Sequence, residues 1–179
     1  GDLPLPRRPP EIAPFLLDGA QSVERRSQVI DQRPGMGPAI ITRLVADLRP
    51  DDQPETYRRM PWIWRVALAV AKRNDGGEIR DLLDISLPHA DQPLLDWQAV
   101  VVGGGIINGL TQIGNWPDTR IAEILAGTPS IARRWPRALN LAAAMADDET
   151  VRMGTRYDAL RMIAMAGWDQ RGSHLVNYL

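Results

Sequence analysis

A glycine run near the middle of the chain is the feature closest to recognisable chemistry. Gly103–Gly105 follow three valines in the stretch AVVVGGGIINGL, residues 99–110. In a dinucleotide-binding unit, a strand followed by glycines places backbone amides against a pyrophosphate at the start of a helix. Here the sixth position of that fingerprint is Asn108, and the next glycine, Gly109, comes one residue late. The spacing therefore argues against a nucleotide site, and a nucleotide-dependent oxidoreductase stays as a weaker alternative.

The same run fits a long helix whose glycines face a neighbouring helix. Each interior glycine costs about 0.5–1 kcal/mol relative to alanine, so close packing or a kink at residues 103–105 has to offset that cost. We expect Gly104→Leu to overpack such a contact and to cost on the order of 1–3 kcal/mol. A membrane span over residues 97–117 is a third possibility, since Gly105 and Gly109 have a membrane-dimer spacing. Five polar amide and hydroxyl side chains make that stretch too polar to cross a bilayer.

The remaining reactive residue types form no catalytic or metal-binding pattern. The chain has no cysteine, which excludes disulfides, thiolate metal sites, iron–sulfur clusters and covalent haem. His89 and His174 stand far apart, and neither belongs to an HxxxH or HExxH motif. The acidic groups at 51–52 and 147–149 each precede a predicted helix, where capping and the helix dipole explain them. We therefore predict a protein with no catalytic residue, no cofactor and no metal.

Composition predicts one globular domain. The chain has 179 residues, of which 44% are hydrophobic and 24% charged, enough for a sizeable core. Its formal net charge of −1 provides no strong field toward nucleic acid or an anionic membrane. Of the 21 basic residues only Lys72 is a lysine, a bias that we attribute to genomic composition. The start at Gly1, without a signal-peptide pattern, leads us to expect a piece of a longer polypeptide.

The pattern along the chain predicts an all-α fold. Five prolines in the first fourteen residues predict a proline-rich arm or linker over residues 1–17, with a helical-repeat domain over 18–179. No segment shows the alternation of a strand. Helical spacing between Gly, Pro, Asn and Asp residues predicts helices over residues 19–32, 37–49, 55–73, 77–87, 92–113, 117–126, 129–146, 154–166 and 169–179.

A weak internal repeat refines this prediction. Four helices carry an apolar triplet at i, i+3 and i+4, and successive triplets lie 38, 42 and 54 residues apart. A period of about 40 residues is typical of HEAT and armadillo arrays, and the longer last step indicates an insertion around residues 128–155. We predict a right-handed α-solenoid of four or five HEAT-like helix pairs, in which stacked neighbours bury each other's apolar stripes. The triplets are Ile41/Leu44/Val45, Ile79/Leu82/Leu83, Ile121/Ile124/Leu125 and Leu175/Tyr178/Leu179.

The densest basic cluster is a candidate partner surface. Arg133, Arg134 and Arg137 flank Trp135. Arginine and tryptophan are enriched at binding hot spots, so the cluster is typical of a protein-binding surface. A solvated helix face near acidic neighbours is the alternative explanation.

The C-terminal triplet is a second candidate partner surface. Leu175, Tyr178 and Leu179 would leave apolar surface uncovered at the end of a solenoid. A second copy, another subunit or the rest of a parent protein would cover it. Trp116 and Trp168 fall in equivalent turns, where we expect their large rings to pack one repeat on the next.

Two stretches of the chain resemble a known family. PWIWRVALAVAKRND at 61–75 and DWQAVVVGGGIINGL at 96–110 resemble the HEAT-like segment of large planctomycete-type proteins described as membrane-associated dehydrogenases with a c-type haem domain. The resemblance is clearest over residues 61–125. In that family a propeller-like region precedes the helical segment and a CxxCH haem domain follows it, and this chain has neither. The resemblance implies a connecting scaffold that cannot perform the redox step itself and a periplasmic or other extracytoplasmic location.

These observations predict a non-catalytic helical-repeat scaffold. Its partners are expected to be proteins or neighbouring domains of a parent protein, with no nucleic acid and no membrane span. The alternative is an accessory segment of a haem-linked dehydrogenase or electron-transfer protein. Flavin or haem absorbance of the purified protein would separate the two, because the scaffold predicts neither.

Overall fold

Every regular element that the structure describes is helical, as the sequence predicts. The structure is a computed structural model and describes residues 3–166. The predicted helix over 169–179, which carries the triplet Leu175/Tyr178/Leu179, lies outside the described residues, as do Trp168 and His174. The helices are α1 Pro9–Leu17, α2 Val23–Asp31, α3 Gly37–Val45, α4 Gln53–Arg73, α5 Gly76–Ser86, α6 Asp96–Ala99, a π-helical segment Val100–Ile107, α7 Asn108–Gln112, α8 Pro117–Ala126, α9 Pro129–Ala132, α10 Trp135–Asp147 and α11 Met153–Ile163.

Helix α1 differs from the arm predicted over residues 1–17. Prolines occupy its first two positions, which tolerate proline because the first amides of a helix have no partner within it. Ile12 and Leu16 lie one turn apart and are fully buried in the common core. The helical domain therefore includes α1 and does not begin at residue 18.

The helix predicted over 129–146 is broken into α9 and α10. Pro136 lies in the first turn of α10, a position that tolerates proline because the first amides of a helix have no partner within it. A new helix therefore begins at Trp135. The other helices predicted within residues 3–166 are present with shifted ends, the one over 92–113 as α6, the π-helical segment and α7 in succession, and α8 has the predicted bounds.

The helices pack in two chains of neighbours around one hydrophobic core. In the first chain, α2 contacts α4, α4 contacts the π-helical segment, and that segment contacts α11. In the second chain, α1 contacts α3, α3 contacts α5, and α5 contacts α8. The first three predicted triplets lie in α3, α5 and α8, and all their members except the half-buried Val45 are buried.

The glycine run lets the π-helical segment approach α4 and α11 closely. A Cβ atom added to Gly105 would collide with the Cβ of Ala67, and one on Gly109 would lie 2.5 Å from the Cβ of Ala71. On the other side, a Cβ on Gly103 would collide with the backbone carbonyl of Asp158. The glycines therefore serve the close helix packing that their spacing predicts.

Arginine side chains bind the last carbonyls of neighbouring helices. Arg59 Nη1 donates to Leu44 O at 3.0 Å, at the end of α3. The last carbonyls of a helix lack intrahelical partners and carry partial negative charge, so a guanidinium both bonds and neutralises them. The same contact recurs from Arg26 to Leu16, Arg58 to Leu17, Arg73 to Ile30, Arg134 to Asp84 and Leu87, and Arg156 to Ala146.

Two glycine-to-alanine variants test the close approach. Gly105→Ala places a methyl group against Ala67, so we expect it to lower the free energy of unfolding by about 1–3 kcal/mol. Gly154→Ala, in α11, is the matched control because open space surrounds that position. It should stabilise the protein by about 0.4–1 kcal/mol, since alanine restricts the unfolded chain. Urea unfolding followed by circular dichroism measures both, and equal effects of the two variants would contradict the packing described here.

The arginine contacts predict that lysine is a poor replacement. Arg59 is buried and donates to Leu44 O, to Asp47 Oδ1 at 2.6 Å and to Glu55 Oε2 at 2.9 Å. The compact ammonium group of lysine cannot reach all three acceptors as the planar guanidinium does, so Arg59→Lys should lower the free energy of unfolding by about 1–3 kcal/mol. The exposed Arg133 is the control, because Arg133→Lys should stay within about 0.5 kcal/mol. A loss for Arg59→Lys no larger than that of the control in urea unfolding would contradict this role.

Candidate functional site

The predicted basic cluster lies at the start of α10, and two of its arginines are engaged within the chain. Arg134 Nη1 donates to the carbonyls of Asp84 and Leu87 at 3.1 Å, and Arg137 Nη1 donates to His89 O at 2.9 Å. Trp135 is half-buried against the core, and Arg133 is exposed. The arginines therefore hold the connection between α5 and α6.

Trp116 does not pack neighbouring helices together. Its side chain is 79% exposed, so the prediction for this turn is wrong. The turn is closed by backbone hydrogen bonds instead, such as Asn115 N to Leu110 O at 3.0 Å.

Three exposed apolar side chains lie on α4 and α11. Tyr57 on α4 and Met153 and Tyr157 on α11 are 45%, 63% and 56% exposed. The guanidinium of Arg152 lies 4.9 Å from the ring centroid of Tyr57 and joins the two helices at the surface. Exposed tyrosine, methionine and arginine are the residue types enriched in protein-binding surfaces.

Arg152 also lines an open cleft between these two helices, here called the α4–α11 cleft. Its volume is about 290 Å³. One wall is the stripe of α4 that continues from Tyr57, and the other is the first two turns of α11. Val100 of the π-helical segment contributes to the lining between them. The lining residues are Met60, Pro61, Trp64, Val100, Arg152, Gly154, Thr155 and Asp158.

Asp158 is the charged group deepest in the cleft. A Cβ atom on Gly104 would lie 2.9 Å from its Oδ2 and 3.0 Å from its Oδ1, so the carboxylate rests directly on the glycine backbone. Arg161 Nη1 donates to Oδ1 at 2.6 Å. Burial raises the pKa of Asp158 to about 6, and the charge and hydrogen bond of Arg161 only partly oppose that rise. The carboxyl group therefore gains or loses its proton near neutral pH.

The wall of the cleft is fixed by a hydrogen bond between helices. Trp64 Nε1 donates to the carbonyl of Gly104 at 2.9 Å. A π-helix forms wider i→i+5 turns, and such turns are frequent at functional sites. Here the wide turn and the missing side chain together expose the Gly104 carbonyl to the indole of α4.

The glycines do not form an open phosphate-binding loop. Gly103 and Gly104 are covered by Asp158, Gly105 is covered by Ala67, and all three lie inside a helix. A pyrophosphate needs free backbone amides at a helix start. The hypothesis that Gly103–Gly105 form the loop after a strand in a dinucleotide-binding unit is therefore wrong.

Among residues 3–166, no group of three or more His, Asp or Glu side chains is placed to hold a metal ion. No described helix is long and apolar enough to cross a membrane. Comparisons of the chain with protein-family models, with curated proteins and with solved structures give no significant match.

Sequence reasoning missed the α4–α11 cleft because its signal resembles that of a core. Tyr57, Pro61 and Trp64 follow the i, i+4, i+7 spacing of one helical face, as do Met153 and Tyr157 at i, i+4. The same spacing is found in buried stripes. The exposed side chains become a site only once the fold places residues about 100 positions apart beside each other.

Asp158 makes stability depend on pH in a defined direction. Its pKa of about 6 in the folded chain exceeds the value of 3.8 for an unperturbed aspartate. The folded state therefore binds the proton of Asp158 more tightly than the unfolded state does. The stabilisation that this proton provides is complete below about pH 4 and is lost as the pH rises through 6. Wild type should lose on the order of 2–3 kcal/mol between pH 4 and 7 relative to Asp158→Asn, measured by urea unfolding. The exposed Asp51→Asn is the control, and identical pH profiles for wild type and Asp158→Asn would contradict this assignment.

Proposed function

We propose that this chain is a non-catalytic helical-repeat scaffold that holds a protein partner or a neighbouring domain in the α4–α11 cleft. One observation carries the proposal. Three of the seven large hydrophobic side chains exposed in the described residues, Tyr57, Met153 and Tyr157, lie on the two helices that flank this cleft, and Arg152, which lines the cleft, contacts the ring of Tyr57. Clustered exposed apolar side chains beside a concave surface are typical of interaction sites.

The partner chemistry follows from the lining of the cleft. Trp64 and Met60 offer apolar contact inside, whereas Tyr57, in contact with Arg152, and Tyr157, next to Asp158 on α11, offer exposed rings and hydroxyl groups on the flanking helices. Aromatic side chains of this kind contribute large contact area at low cost in side-chain entropy. We therefore assign to the cleft a protein segment that inserts an apolar side chain between α4 and α11.

The architecture that we propose for the scaffold is a right-handed HEAT-like solenoid of four or five helix pairs. The two chains of neighbouring helices, α2–α4–π-helical segment–α11 and α1–α3–α5–α8, support it. The burial of the repeated triplets in α3, α5 and α8 supports it as well. If the resemblance of residues 61–125 to the planctomycete-type family holds, the partner is a neighbouring domain of the parent protein, outside the cytoplasm.

Site-specific photo-crosslinking in cells that carry the natural gene tests the proposal. A benzophenone amino acid at Tyr157 should form adducts with one protein or parent domain, which mass spectrometry identifies. The matched control is the same crosslinker at Trp116, an aromatic residue that is also exposed but directly precedes α8 and so belongs to neither helix of the cleft. We expect no such adduct there.

The identified partner then allows a quantitative measurement. Tyr157→Ala combined with Met153→Ala should weaken its binding at least about tenfold, because truncated hot-spot side chains each cost more than about 1 kcal/mol. Trp116→Ala should leave binding unchanged. Indistinguishable adducts at positions 157 and 116 would contradict the proposal, and flavin or haem absorbance of the purified chain would favour the electron-transfer alternative.

A further inference from the structure

A second groove lies between α2 and α4, on the other side of Trp64 from the α4–α11 cleft. This α2–α4 groove has a volume of about 380 Å³. Apolar side chains from both helices line it, and they are Val23, Ile30, Trp64, Leu68 and Ala69. Its charged lining residues are Arg65 and Lys72 on α4 and Asp31 on α2.

Arg65 differs from the arginines that bind helix ends. Its guanidinium lies 4.5 Å from the ring centroid of Trp62, and its Nη1 atom is buried without a hydrogen-bond partner among the described residues. Arg26 lies over the same indole at 4.4 Å, but its Nη1 donates to the carbonyl of Leu16. Buried donors are nearly always satisfied in proteins, so the unpartnered Nη1 marks Arg65, which lines the groove, as the arginine here whose hydrogen-bonding capacity is not used up within the described residues.

The charges of the groove favour an anion. Arg65 and Lys72 are seven residues apart on α4, which places them on one face about 10.5 Å apart along the helix axis. Asp31 is the single carboxylate among the described lining residues, so the lining carries a net positive charge. A planar guanidinium matches a carboxylate through two parallel hydrogen bonds.

The apolar walls favour a ligand with an apolar body. Leu68 and Ala69 occupy the length of α4 between the two cations, and Val23 and Ile30 face them from α2. Arg65 itself lines the groove, so a group that fills the groove can bring an acceptor to its side chain. The volume falls within the range of small-molecule sites, about 300–1,000 Å³.

We propose that the α2–α4 groove binds a small amphipathic carboxylate, with its carboxylate on the guanidinium of Arg65 and its aliphatic or aryl body along Leu68 and Ala69. The site is separate from the docking cleft of the proposed function. Its test therefore succeeds or fails independently of the identity of any protein partner.

Calorimetric titration with octanoate and octanamide tests the site on the full chain. The two probes share the apolar body and differ in the charged group. Wild type should bind octanoate at least about tenfold more tightly than octanamide, because the charge-assisted pair with Arg65 is absent for the amide. Arg65→Met keeps an unbranched chain against Trp62 and should abolish this preference. Arg133→Met makes the same change of charge away from the groove and should retain it.

Two further variants keep the result interpretable. Circular dichroism establishes that each variant is folded. If Arg65→Met fails to fold, Arg65→Lys replaces it. We then expect a weaker preference for octanoate, because an ammonium cannot make the two parallel hydrogen bonds of a guanidinium. Asp31→Asn removes the carboxylate of the groove and should tighten octanoate binding. No octanoate binding, equal affinity for octanamide, or an undiminished preference in the Arg65 variant would overturn the proposal. Inorganic phosphate that displaces octanoate at equal concentration would also overturn it, because the groove would then recognise charge alone.

Discussion

The close approach of the π-helical segment to both of its neighbours is the constraint on which the rest of the structure depends. Where Gly103 and Gly105 lie, a single methyl group on either one would meet an atom of α11 or α4. Protein interiors are packed as densely as organic crystals, so helices separated by even one methyl group would lose contacts along their whole length. The order of α4, the π-helical segment and α11 follows from this contact, and so does the cleft between the two outer helices.

Arginine solves a second problem that this fold creates. Many short helices have many ends, and every end presents carbonyl groups that lack intrahelical partners. Arg59 and Arg73 each combine such a carbonyl with a carboxylate, so one side chain satisfies two helices at once. Lysine, as a compact and strongly hydrated charge, cannot make these contacts in the same way. The near absence of lysine therefore has a structural use beyond the genomic bias to which the sequence alone points.

The sequence predicts the positions of the helices better than the tertiary contacts that their side chains make. Residues 117–126 carry a proline at the helix start and a buried triplet, and α8 has those bounds. Helix α1 was not predicted because prolines at its first positions look like a linker, and only Ile12 and Leu16 in the folded core show otherwise. At the Arg133–Arg137 cluster, charge density does not reveal that Arg134 and Arg137 donate to backbone carbonyls 47 to 50 residues away.

The candidate sites were less predictable than the helices because they depend on juxtaposition. Nothing local distinguishes Asp158 from other aspartates, since its burial arises from Gly104 on another helix. Arg65 likewise looks like any helical arginine until Trp62 is found beneath it and no acceptor is found for Nη1. Spacing along one helix predicts which face is buried, whereas the partner of each side chain is set by the packing of several helices.

The indole of Trp64 has a consequence for communication across the molecule. It lines both the α4–α11 cleft and the α2–α4 groove, and its hydrogen bond to Gly104 O fixes its orientation between them. Allosteric coupling requires an element with two arrangements that both ligands bias differently. A ring held in one orientation by a hydrogen bond is not such an element, so Trp64 acts as a partition between the two sites. Ligands bound on its two sides should bind with additive free energies, so the cleft and the groove would be two independent binding sites that share helix α4.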